Sequence, residues 1–283
     1  METILILILI LILILILILI LIYLKSPFNN NNNNNNNFNN NNFNNNTALI
    51  LHVGNIDIFN TLLIDYPLFF NNNTIDLYFT CNNTDDEIII KKLFPNSVIL
   101  LCENKGMDIG PFLLMADYLL NNKLTYNYYI KIHTKSDQIW RDGMIKPIYD
   151  KLDFFLTGKG NYIEMYGASK YLYDVNFNFN YDFVLDILKR NYPKYIKQFL
   201  NYCKDDKHLT ICTKQPYFVA GTIFVFNNKY FNLLKQIKDL KYEQSILEKG
   251  YSLNTINQPR KTHAWEYLFG YLVYLNNKEI IKI

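Results

Sequence analysis

From Thr47 onward, short apolar runs alternate with longer stretches whose apolar residues recur every three or four positions. The runs are Ala48–Val53 (ALILHV), Thr74–Cys81 (TIDLYFTC), Ser97–Cys102 (SVILLC) and Tyr128–His133 (YYIKIH), each of strand length. Between them Ile56–Tyr66, Asp85–Leu93 and Ile109–Leu120 have helical spacing, with Thr84 or Asp85 placed to cap the second. Farther on, Glu164–Gly167 (EMYG) and Tyr217–Phe226 (YFVAGTIFVF) read as strands. Asp182–Cys203 and a last stretch from about His263 to Tyr274 read as helices. This rhythm predicts an α/β domain on a single Rossmann-like, mostly parallel sheet with helices on both faces. Residues 47–283 suffice for one such domain and are short for two. Ligands of these sheets gather at strand carboxyl ends.

The amino end follows a different pattern. Ile4–Ile22 is a strict Ile/Leu alternation, 19 apolar residues without a charge. As a helix it is about 28 Å long, enough to span the hydrocarbon core. A strand of that length would be far beyond the normal range and prone to aggregate, whereas a helix satisfies its own backbone in lipid. With no basic stretch before it and no small-residue cleavage site, residues 1–25 are expected to be an uncleaved, single-pass membrane anchor. Asn29–Asn46 is poly-Asn broken only by Phe38 and Phe43, so residues 26–46 are expected to be a disordered tether. Lys25 leans toward a cytosolic domain. The Asn-x-Thr sequons at Asn72 and Asn82 would suit a lumen, and the side stays open.

A net charge of +3 and the lack of a basic stripe interleaved with aromatics argue against a nucleic-acid partner. The 23 Tyr and 20 Phe accompany heavy use of Asn, Ile and Lys, a composition that AT-rich coding explains better than carbohydrate stacking. Cys81, Cys102, Cys203 and Cys212 have no metal-ligand spacing, so neither zinc nor a required disulfide is expected. Cys203 and Cys212 could still pair in an oxidising lumen.

Four segments fall where such a sheet places chemistry. Glu103–Pro111 follows a strand and opens a helix. There Asn104, Lys105, Gly106 and Asp108 either bind a base, ribose or sugar or form an ordinary turn, Gly106 allowing a positive φ. On Tyr128–His133 and its exit, Lys131, His133 and Lys135 share one side, followed by Thr134, Trp140 and Arg141. Two cations and an imidazole there suit a diphosphate better than a metal, with Arg141 as a bidentate clamp; a solvated basic edge is the plainer alternative. In Phe218–Phe224, Gly221 and Thr222 interrupt an apolar strand, which marks either close packing or the approach of a ligand to the backbone. His263 and Glu266, three apart on the last helix, could take a proton from a hydroxyl, or Glu266 could be a capping or surface acid.

In order along the chain, NKGMDIGPF (104–112), KIHTKSD (131–137), WR (140–141), AGTIF (220–224) and HAWE (263–266) resemble the rhamnan synthesis F family. The likeness covers about Leu49 to Leu272. It implies a sugar transferase of polysaccharide or glycan assembly with a glycosyltransferase A-like fold. The donor implied is a nucleotide-sugar such as a dTDP-deoxyhexose, rhamnose or another deoxyhexose being the sugar moved, and the acceptor a glycan. In that fold an Asp-x-Asp at the fourth strand normally binds a metal, and here His133-Thr134-Lys135 stands instead. The resemblance therefore implies side-chain cations in place of Mn²⁺ or Mg²⁺, and no cofactor or metal site is expected. Glu266 falls where such enzymes carry the carboxylate that activates the acceptor. The expected site puts the nucleotide at Asn104 and Asp108, the diphosphate at Lys131, His133, Lys135 and Arg141, and the base at Glu266 with His263. A catalytically degenerate glycan-binding or membrane scaffold protein is the alternative. A metal-dependent nuclease or phosphatase is disfavoured, because Asp85, Asp86, Glu87, Asp205 and Asp206 read as caps and solvated turns.

Overall fold

Thr47–Val53 (β1) is buried at all but one position, as its unbroken apolar run demands of a strand covered on both faces. It pairs in parallel with Ile75–Cys81 (β2) on one side and Tyr128–His133 (β4) on the other, and β2 pairs in parallel with Val98–Leu101 (β3). The computed structural model describes residues 46–160, 162–175, 177, 180–205, 216–250 and 260–283. The anchor expected over 1–25, all but the last residue of the tether expected over 26–46, Asp206 and Cys212 lie outside the described residues. Among the described residues no helix is long and apolar enough to cross a membrane.

Met165–Gly167 (β5), Phe224–Asn227 (β8) and Ile281–Lys282 (β9) complete a seven-stranded sheet of order β3-β2-β1-β4-β8-β5-β9. β8 runs antiparallel to both of its neighbours, and β5 and β9 are parallel to each other. The sheet is thus mostly parallel and Rossmann-like, as the apolar pattern predicts. A departure from the single sheet is the small antiparallel pair of Leu172–Asp174 (β6) and Tyr217–Val219 (β7).

Helices flank the sheet: Ile56–Asp65 (α1), Leu68–Asn71 (α2), Thr84–Leu93 (α3), Ile109–Asn121 (α4), Gln138–Asp150 (α5) and Leu152–Thr157 (α6). Later come Tyr181–Asn191 (α7), Ile196–Asp205 (α8), Asn228–Leu234 (α9), Leu240–Ser245 (α10) and Lys261–Leu275 (α11). The cap of α3 is Asn83, whose side chain accepts from Asp86 N, rather than Thr84 or Asp85. The helix expected over Asp182–Cys203 is two helices. Pro193 lacks an N–H and opens a 3₁₀ turn that ends one and starts the other. Tyr217–Phe226, expected as one strand, is also two. Gly221 (φ +83°) and Thr222 (φ +55°) turn the chain out of β7 and into β8.

Phe112 on α4 meets Phe224 and Phe226 of β8 and Phe269 of α11 edge to face, at 6.4, 5.8 and 5.5 Å between centroids. Each such pair adds about 0.5–1.5 kcal/mol beyond area burial. The cluster fixes the start of α4 against the two elements that face it. The sequence steps from β1 to β2 to β3 in one direction and then crosses to β4 on the far side of β1. The crevice beyond the carboxyl ends of β1 and β4 is therefore the switch point, where ligands of such sheets bind.

Candidate active site

A cleft of about 800 Å³ opens at that switch point. Its lining draws on all four segments singled out by sequence: Asn104 and Asp108 after β3, His133 to Ser136 at the exit of β4, Gly221 and Thr222 before β8, and His263 and Glu266 on α11.

Beneath the cleft lies a closed ion pair. Lys131 is 2% exposed, and its Nζ donates to Asp108 Oδ2 at 2.6 Å and to the Thr222 carbonyl at 2.7 Å. The ammonium also sits 5.5 and 5.4 Å from the ring centroids of Phe112 and Phe224. Burial pulls the Lys131 pKa down and Asp108 opposes it. Burial alone would raise Asp108, but His133, Lys131 and the Thr222 hydroxyl, which also donates to it, outweigh that and hold the carboxyl below the usual range. Strand alternation does place Lys131 and His133 on one side, yet the Lys131 charge is spent on Asp108. His133 Nε2 lies 2.8 Å from the Gly221 carbonyl, which can only accept, so that nitrogen carries the proton. Burial lowers the His133 pKa and favours the neutral ring.

The loop after β4 is held from both ends. Thr134 Oγ1 accepts from Gly54 N at 2.8 Å and Asn55 N at 3.0 Å, tying the exits of β4 and β1 together. Asp137 caps α5 through Trp140 N at 2.9 Å. Arg141 is buried, and its Nη1 donates to the Lys135 carbonyl at 2.8 Å. It clamps the loop backbone, whereas the sequence suggests a clamp on ligand. Lys135 itself is half-buried in the cleft and, among the described residues, has no acidic partner.

On the opposite wall, Glu266 Oε1 accepts the Gly221 N–H at 2.7 Å. Burial raises its carboxyl to about 7, with Asp108 adding to the rise and the Gly221 N–H, Lys135 and Lys131 opposing it. A carboxyl near neutrality is suited to accept a proton at physiological pH. His263 lines the same cleft, its pKa lowered by burial and by Arg260. The amino end of α11 is capped from afar: Glu248 accepts from Lys261 N at 2.7 Å, Thr262 N at 3.1 Å and Thr262 Oγ1 at 2.7 Å. The Glu248 carbonyl also accepts from Gly106 N at 2.7 Å, which joins the turn after β3 to the helix carrying Glu266.

Two members of the first segment lie outside the cleft lining. Lys105 pairs with Glu103 at 3.2 Å, and a Cβ on Gly106 (φ +67°) would fall 2.3 Å from Leu247 Cδ1, so this glycine serves the turn. His52, Gly54, Asn82 and Tyr267 also line the cleft and lie outside the segments singled out by sequence. His52, near the end of β1, pairs its Nδ1 with Thr80 Oγ1 at 3.0 Å, and burial drops its pKa to about 4. Asn82 follows the last residue of β2. For His52, Gly54 and Asn82, a place at strand carboxyl ends is the signal that could have found them.

Among the described residues, no group of three His, Cys, Asp or Glu side chains is arranged to hold a metal ion. In the cleft, Asp108 Oδ2 already accepts from Lys131 and Thr222, and Glu266 Oε1 from Gly221. Cys81 and Cys102 are buried free thiols, pushed up to about 11 and about 12 by burial. No family model and no curated protein matches the chain.

Proposed function

We propose that this protein is a nucleotide-sugar-dependent glycosyltransferase with a glycosyltransferase A-like domain, of the kind its motifs resemble in the rhamnan synthesis F family. One observation carries the reading. At the switch point of the sheet, a cation without an acidic partner among the described residues, Lys135, shares one cleft with Glu266, whose pKa is about 7. The volume suits a ligand of drug-like to nucleotide size.

The donor's nucleoside rests over the exits of β1, β2 and β3, near His52, Asn82 and Asn104, and its diphosphate reaches Lys135. Glu266 takes the proton of an acceptor hydroxyl while that oxygen bonds to the anomeric carbon. The bond from that carbon to the diphosphate oxygen breaks, its electron pair leaves on the diphosphate, and the Lys135 ammonium stabilises the growing charge. A single displacement of this kind inverts the anomeric centre. His133 and Asp108 do not touch the diphosphate in this scheme. They hold Gly221 and Thr222, and through Gly221 the base. The apolar stretch at Ile4–Ile22 makes the enzyme a membrane-anchored one.

The test is to incubate the full chain with a panel of nucleotide-sugars and glycan acceptors and follow both nucleoside diphosphate release and the mass of the acceptor. One donor should give transfer, and Glu266→Gln should lower its rate by about 10²–10⁴. Silence across the panel, or an undiminished rate in the variant, removes the reading.

A further inference from the structure

The Lys135 ammonium lies 4.7 Å from the centroid of the Trp140 ring. Tyr171, itself buried, stacks on the same indole at 5.5 Å with 17° between the planes. Trp140 is thus stacked against a buried ring and carries a cation over its own ring. Among the described residues the buried indole Nε1 has no hydrogen-bond partner, and a Cβ at Gly221 would lie 3.2 Å from it. Gly221 in turn holds Glu266 through its N–H. One residue, Gly221, therefore stands between the indole and the base.

We propose that this face of Trp140 is the acceptor subsite, where a neutral pyranose ring stacks after an anionic diphosphate has drawn the Lys135 ammonium off the indole. The proposal rests on the reading of the cleft as a nucleotide-sugar site and adds to it an acceptor class and an order of binding. A cation–π contact at a half-exposed site is weaker than a charge-assisted hydrogen bond to a diphosphate, so the anion wins the ammonium. The bared indole is flat and apolar, which matches the C–H face of a sugar. Phe218 and Tyr267, in edge contact at 4.5 Å, line the same cleft. Before the diphosphate arrives the subsite is occupied by Lys135, so the donor precedes the acceptor.

Tryptophan fluorescence reads this directly. The chain has two Trp, and Trp265 is fully buried, so acrylamide quenching reports Trp140. Titrating the full chain with inorganic pyrophosphate should raise quenching saturably, and a methyl pyranoside from a neutral panel should reverse the rise only when pyrophosphate is present. Lys135→Met, which keeps an apolar stem over the ring, should lose the pyrophosphate response, and Trp140→Phe should abolish the signal. Thermal stabilisation by pyrophosphate with quenching unchanged, or a rise that no pyranoside reverses, overturns the subsite and leaves the diphosphate site standing. Absence of any pyrophosphate stabilisation overturns both.

Discussion

Gly221 holds Glu266: its N–H donates to Glu266 Oε1 at 2.7 Å, while its carbonyl accepts from His133 Nε2 at 2.8 Å. One peptide segment with φ +83° therefore links the base on α11 to the end of β4.

A side chain at this position meets two obstacles. The left-handed backbone costs a non-glycine residue about 1–2 kcal/mol, and the new Cβ would stand 3.2 Å from both Met144 Sδ and Trp140 Nε1. Gly221→Ala should lower thermal stability modestly and lower kcat far more, because both hydrogen bonds move with the backbone. Melting curves and initial rates on the same preparation check this.

The raised pKa of Glu266 gives two linked expectations. Since the base must be ionised, kcat/KM should rise with pH through about 7. For stability, the folded chain holds a proton that the unfolded chain releases between about 4.5 and about 7, so this group destabilises the fold increasingly across that window and fully above it. Glu266→Gln removes the penalty. Its melting temperature should gain on that of the unaltered protein as pH rises from 4.5 to 7, even as transfer is lost.

Lys131 and Lys135 should separate cleanly. Lys131→Met leaves the Asp108 carboxylate buried without its main counter-charge, and about 3–5 kcal/mol of stability should go. Lys135→Ala touches no such pair and should leave the urea midpoint almost unchanged.

His52 makes the fold sensitive to acid. Its folded pKa of about 4 lies below the ordinary 6.5, so between these values the unfolded chain takes up a proton that the folded chain refuses. Stability from this group is complete above 6.5 and falls as pH drops toward 4. His52→Gln should flatten that part of the stability-against-pH curve.

Much of this was legible in the chain. Tyr128–His133 is read from the sequence with the same bounds the structure gives, since an apolar strand between two turns has few alternatives. The gathering of the first two segments at the carboxyl ends of the strands also follows from strand and helix alternation. What period-two reasoning could not show is where a long side chain ends. It places Lys131 on the correct side but is blind to Asp108 reaching from the turn after β3 to meet it. Arg141 was beyond reach for a similar reason, because the stretch from Gln138 to Asp150 carries a weak apolar pattern and Pro147, and so gave no sign of a helix. The division of the strand at Gly221 is hidden because glycine in an apolar run fits a bulge as readily as a turn.

Calorimetric titration of the full chain with nucleoside diphosphates and their sugar conjugates, repeated on Lys135→Ala, bears most directly on the whole account. At least one nucleotide should bind with a stoichiometry of one, and replacing Lys135 should weaken it at least roughly tenfold, the loss of a charge-assisted bond. Equal affinity in the two proteins, or no binding by any nucleotide, would contradict it.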